Sequence, residues 1–185
     1  PDGTSYTSWI VRGIEWSITH GADIILIPFS TFGYPGDPLS EAIRLATEQG
    51  VLVVAAAGDR GPNHMTVLSP GECIDALTVG AYNISADAVA DFSSRGPTFD
   101  LRAKPDLVAP GTDIVSCALH DVIPAQAGNQ SISITAQDLS MLGFGRFGTP
   151  IDDNYIVAST TAASAAITCG VASLLLQGCR YATPQ

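Results

Sequence analysis

The sequence predicts an α/β fold, a doubly wound parallel sheet, and three observations carry that prediction. Short apolar runs without alternation, at 22–29 and 51–57, read as strands covered on both faces. Between them lie segments with apolar residues at helical spacing, set off by Gly21, Asp37-Pro38 and Gly50. Strands separated by helices in this rhythm put helices on both faces of a parallel sheet.

Along the chain, Ile10, Ile14 and Ile18 recur at i, i+4, i+8 beside Val11, which makes 7–20 one face of a helix stopped by Gly21. The run 22–29 is the first strand. Asp37 is a cap and Pro38 a first-turn proline, after which Leu39, Ala42, Ile43 and Ala46 repeat at helical spacing up to Gly50. Strands follow at 51–57, ending in Gly58, at 74–81, and near Asp106–Ala109, ending at Pro110-Gly111. A last helix is predicted over 159–177, with Gly178 just past its end. Two stretches lack a period: 58–72, and 118–154 with a hairpin strand at 130–135 and a glycine-rich run at 143–148. The expected organisation is one domain over 1–185 carrying an insertion-like loop at 118–154.

Composition narrows the function classes. The chain has 185 residues, 46% of them apolar and 14% charged, which excludes a disordered polymer. With 8 Lys+Arg against 18 Asp+Glu the net charge is −10, so nucleic acid is not the expected partner, because phosphate binding needs clustered cations. No continuous apolar run has the length of a membrane span, and no membrane partner is expected. Cys73, Cys117, Cys169 and Cys179 form no CxxC and no close pair with histidine, which argues against zinc; the redox compartment stays open.

Several segments then carry a resemblance. GlyValLeuValValAlaAlaAlaGly (50–58), SerProGly (69–71) before LeuThrValGlyAla (77–81), AspPheSerSerArgGlyProThr (91–98) and LysProAspLeuValAlaProGlyThrAspIle (104–114) closely resemble the subtilisin-like serine proteases, the subtilases. Residues 9–18, 38–43 and 170–175 fit the same family, in its order and spacing. The resemblance implies a subtilisin-like sheet lacking the family's N-terminal strands, and an Asp, His, Ser triad in that chain order.

The chemistry departs from that pattern. Aligned on GlyValAla at 170–172, the family's nucleophile position falls on Ala162, and a methyl group cannot attack a carbonyl. Asp59 stands where the family usually has an asparagine that donates to the oxyanion. An ionised carboxylate can only accept. The catalytic Asp and His have no counterpart, since His20, His64 and His120 lie outside any HisGlyThr stretch. His20 reads as a helix C-terminal residue. Thr161 and Ser159 are weak substitutes for the nucleophile: one residue along a helix turns a side chain by about 100°, and these hydroxyls suit helix caps better. The resemblance also places Pro28, Phe29, Ser30, Ala57 and Gly58 along a substrate groove, where Pro28 has no N–H for pairing with an extended peptide.

The family's missing neighbour strand would leave 24–29 as an apolar edge. A polypeptide partner, a second copy, or the loop 118–154 would cover it. Some subtilases bind calcium through loops, and Asp121 or Asp152-Asp153-Asn154 offers oxygens; such clusters are ordinarily solvated turns, so no metal or cofactor is expected. Three functions compete: an inactive subtilase that binds a peptide or scaffolds, a serine endopeptidase completed by an upstream or partner segment carrying Asp and His, and a structural assembly domain.

Overall fold

The computed structural model describes residues 6–34, 36–117, 149–151 and 155–179. These fall into two compact units. One holds residues 5–112 with 160–185, and the other 1–4 with 113–159.

In the larger unit the order is α1 (Thr7–Thr19), β1 (Ile24–Ile27), α2 (Pro38–Glu48), β2 (Leu52–Ala56), β3 (Leu77–Asn83), β4 (Ala88–Val89), β5 (Leu107–Pro110) and a last helix, here α3 (Thr161–Gly178). Strands β1, β2, β3 and β5 pair in parallel, in that order, with Ile25 opposite Val53, Val54 opposite Leu77 and Val79 opposite Leu107. The short β4 pairs back on β3 in antiparallel fashion. The mostly parallel α/β sheet expected from the sequence is therefore present, and β1 is its outer strand among the described residues.

The pleat sorts the apolar runs onto two faces, because successive side chains in a strand point opposite ways. Ile25, Ile27, Val53 and Ala55 pack with Ile10, Ile14, Ile18 of α1 and Leu39, Ile43, Ala46 of α2. Ile24, Leu26, Val54, Ala56 and Val79 pack with Ala165 and Cys169 of α3. This two-sided cover is why neither strand alternates in sequence.

The boundaries shift in instructive ways. The first strand stops at Ile27, not 29, and the third runs from Leu77 to Asn83 instead of 74–81. The last helix begins at Thr161 because Thr160 is its N-cap, its hydroxyl accepting from the Ala162 N–H at 3.2 Å. Gly178 closes that helix from inside it. By length and composition α3 also amends the reading of apolar runs: its 18 residues average a hydropathy of 1.4, enough for a span by that measure, which a core helix also meets.

The smaller unit holds an antiparallel sheet in the order β6 (Ile114–Cys117), β8 (Tyr155–Ala158), β7 (Thr149–Pro150). The stretch 118–154 was expected as loop, so β7 is an addition to it; the hairpin strand at 130–135, the glycine-rich run, His120 and the candidate oxygens of Asp121 and Asp152–Asn154 lie outside the described residues.

Candidate functional site

The site is built where β2 ends and α3 begins. Ala57 is fully buried, its N–H donating to Val79 O at 2.9 Å and its carbonyl accepting from Leu68 N at 3.2 Å. Gly58 then takes φ +101°, a left-handed turn open to glycine, and a side chain there would press on Ser94, Leu68 and Ser30. That turn aims Asp59 at the start of α3.

Four hydrogen bonds lock the junction. The Thr161 N–H donates to Asp59 Oδ1 at 2.8 Å, and the Thr160 hydroxyl donates to Asp59 Oδ2 at 2.6 Å. Thr160 Oγ1 in turn accepts from the Ala162 N–H, and the Gly58 N–H donates to Thr161 Oγ1 at 3.1 Å. A helix N-terminus leaves its first N–H groups unpaired and carries partial positive charge, so a carboxylate there is favourable. Asp59 is thus more than a turn residue.

These contacts fix what each candidate side chain is able to do. Ala162 brings a methyl group to the second residue of α3. Thr161 is 1% exposed and its Oγ1 accepts from the Gly58 N–H, so the hydroxyl is turned into the junction and away from solvent. Ser159 belongs to the smaller unit, where its Oγ accepts from Asp113 N at 3.0 Å. Ser164 is buried with Gly111 close against it.

Neither described histidine is bonded to this junction. His20 ends α1, with Nδ1 2.8 Å from Trp16 O and its ring stacked on that indole. His64 Nδ1 lies 3.4 Å from Gly96 O.

Of the groove candidates, Ser30 comes beside Gly58, while Pro28 and Phe29 are exposed past the end of β1. Sequence reasoning missed three neighbours. Leu68 returns to pair with Ala57, Ser94 Oγ accepts from Arg60 N at 3.1 Å, and the Arg60 guanidinium sits 4.3 Å over the exposed Phe32 ring. Distance in sequence hid Leu68 and Ser94, while Arg60 stands beside Asp59 with no local pattern to mark it. The loop 58–72 is held down by Gly61 N to Phe92 O and Thr66 N to Arg95 O, at 2.8 and 2.9 Å.

All four cysteines are free thiols, and burial pushes the Cys73 and Cys169 thiols up. Among the described residues no group of three His, Cys, Asp or Glu is placed to hold a metal ion.

A profile of the Subtilase family matches residues 1–185. The chain belongs to the subtilase family. It is 33% identical over 193 residues to the serine protease AprX of Bacillus subtilis (strain 168), which spans 95% of this chain and 40% of AprX. Pyrolysin of Pyrococcus furiosus is 34% identical over 145 residues, 62% of this chain and 10% of that protein. Among solved structures, the prenylagaramide maturation protease PagA superposes with TM-score 0.66 at 25% identity, over 98% of this chain and 54% of PagA. A cold-adapted subtilisin-like serine proteinase gives TM-score 0.69 at 23% identity over 98% and 52%, a likeness of fold. This subtilase chain therefore spans about half the length of those structures and 40% of AprX.

Proposed function

We infer that this subtilase chain binds polypeptide without hydrolysing it. The single observation behind the reading is Ala162 at the head of α3, in the position the family fills with its attacking serine. The burial of Thr161, whose Oγ1 accepts from the Gly58 N–H, supports it, since the adjacent hydroxyl is shut away from solvent. A peptide would lie along Phe29, Ser30 and Gly58, at the carboxyl ends of β1 and β2 where open α/β sheets bind ligands. A polypeptide covering the outer edge of β1 belongs to the same reading.

A second reading, a serine endopeptidase completed by a segment carrying Asp and His, is favoured by the names of its relatives, AprX among them being called a serine protease. A serine-directed fluorophosphonate and casein, applied to the chain mixed with a subtilase segment that carries Asp and His, separate the two. No covalent adduct and no casein cleavage is expected from the chain, while immobilised unfolded polypeptide retains it. An adduct on any hydroxyl between 159 and 164 overturns the first reading.

A further inference from the structure

We propose that the outer face of α1 is a dimer surface, on which α1 of a second copy of this chain seats antiparallel and crosses at Gly13. The face is separate from the junction of β2 and α3, so the inference holds whether or not the chain hydrolyses anything.

Helix α1 carries two stripes of large side chains, and the core uses one of them. Ile10, Ile14 and Ile18 pack against the residues of β1, β2 and α2. Tyr6, Trp9, Gly13, Trp16 and His20 follow a 3-4-3-4 spacing, which gathers them within about 80° of the helix circumference on a different side. Tyr6, Trp9 and Trp16 are 67%, 59% and 62% exposed, and His20 is exposed too. The rings are nonetheless ordered. Tyr6 meets Trp9 edge to face with centroids 4.9 Å apart, and Trp16 stacks on His20 at 4.0 Å. Rigid aromatic groups of this kind anchor protein interfaces, because little side-chain freedom is lost when they are covered.

Gly13 stands between the two ring pairs. Glycine weakens a helix interior relative to alanine. A Cβ at this position would meet nothing within 4 Å, so nothing in the described chain requires its absence. Bare backbone in mid-helix serves close approach by another backbone, which here comes from outside the chain.

The pattern selects a second copy as the occupant. An isologous dimer needs a surface that maps onto itself under a twofold axis, and this stripe does so about Gly13. In that register Gly13 faces Gly13, Tyr6 faces His20 of the other copy, and Trp9 falls beside the other copy's Trp16. Arg12 and Glu15 share one flank of the stripe, so the same axis brings the Arg12 of each copy near the Glu15 of the other. The area agrees with a modest contact. Each aromatic side chain offers about 100–150 Å²; with His20 and the flanking stems a dimer would bury about 1,000 Å² in all, the size of a reversible association.

Sedimentation velocity of the whole chain across the micromolar range tests this. The mass is expected to rise from monomer to dimer with concentration, and Trp16→Gln to weaken the association by about tenfold or more. Gly13→Glu sets two like charges on the axis while removing a glycine from an exposed helix position. It is expected to remain monomeric and, at low concentration, to unfold no lower in temperature than the parent. Gly13→Cys, oxidised in dilute solution, is expected to bridge to the same position of the second copy, and peptide mapping separates that bridge from any made by Cys117 or Cys179. A parent that stays monomeric, a Gly13→Glu chain that dimerises as the parent does, or a Gly13→Cys dimer with no bridge between the two positions 13 overturns the proposal. If Gly13→Glu fails to fold, Trp16→Gln decides, and association equal to the parent's overturns it.

Discussion

Helices α2 and α3 cover opposite faces of one sheet, and they do so by opposite means. Helix α2 starts on its own cap, Asp37 Oδ1 accepting from Ser40 N at 2.7 Å, and turns Leu39, Ala42, Ile43 and Ala46 inward. Its outer side is polar, with Arg44 bridging Glu41 and Glu48. Helix α3 starts on Thr160 plus a carboxylate from a distant loop, and packs on the sheet through Ala165 and Cys169. It is apolar all round: Leu174 and Leu175 are 68% and 64% exposed. An amphipathic helix is finished as a surface element, whereas one apolar on every side is built to be covered. The outer side of α2 thus carries charge, and that of α3 leaves Leu174 and Leu175 in water.

The comparison breaks first in the α2 core. Ile43 is wholly buried between the helix and β2, so Ile43→Ala loses transfer free energy and leaves a cavity, with an expected loss of about 2–5 kcal/mol. Urea unfolding measures it, and a loss under 1 kcal/mol would mean the α2 face is not the packed one.

On the other face the limit is closeness, not volume. A Cβ at Gly111 would run into Ser164 Oγ and Ala81 Cβ, so Gly111→Val is expected to cost about 1–3 kcal/mol through overpacking. Gly111→Val with unchanged stability would show that α3 rides loosely on the sheet.

A pH experiment sharpens the charge side of the contrast. Glu72 is 1% exposed near the α2 N-terminus, and burial, then the charges of Asp37 and Asp100, raise its pKa, with Arg102 opposing. Its folded pKa is above the unfolded one, so the stability it allows is fully present below the unfolded pKa and falls as pH rises through the folded one. Glu72→Gln is expected to flatten the fall in stability that sets in as pH rises past the unfolded carboxyl pKa of about 4, and to leave the acid end unchanged. A parent profile that rises steadily above that pKa would contradict the assignment.

What was legible in the sequence follows the same division. Asp37-Pro38 and the spacing of Leu39, Ala42 and Ile43 encode α2 locally, and the unbroken apolar runs encode β1 and β2 by being covered on both sides. Ala162 was readable because GlyValAla fixes the register of the helix. The Asp59 clamp was not, since its partners lie 101 and 102 residues away and nothing local distinguishes it from a turn aspartate. The small sheet escaped for another reason. Strand β6 is four residues long, and Val115, Ser116 and Cys117 are exposed, so it offers neither alternation nor a buried run.

The smallest effect is expected on the outer side of α3, and it is the one that tells most about cover. Leu174 is exposed on α3, its side chain mostly in water. Substitution of an exposed residue away from caps and cores shifts stability by about 0.5 kcal/mol or less. Leu174→Gln in the chain alone should therefore leave the urea midpoint nearly unchanged, while reducing any dependence of that midpoint on protein concentration. In a complex with a polypeptide that seats on this face, the same substitution should behave like a core deletion, because the leucine then loses buried contacts instead of exposed ones. A large loss in the isolated chain, independent of concentration, would mean that α3 is already packed on both sides and that its contrast with α2 is false.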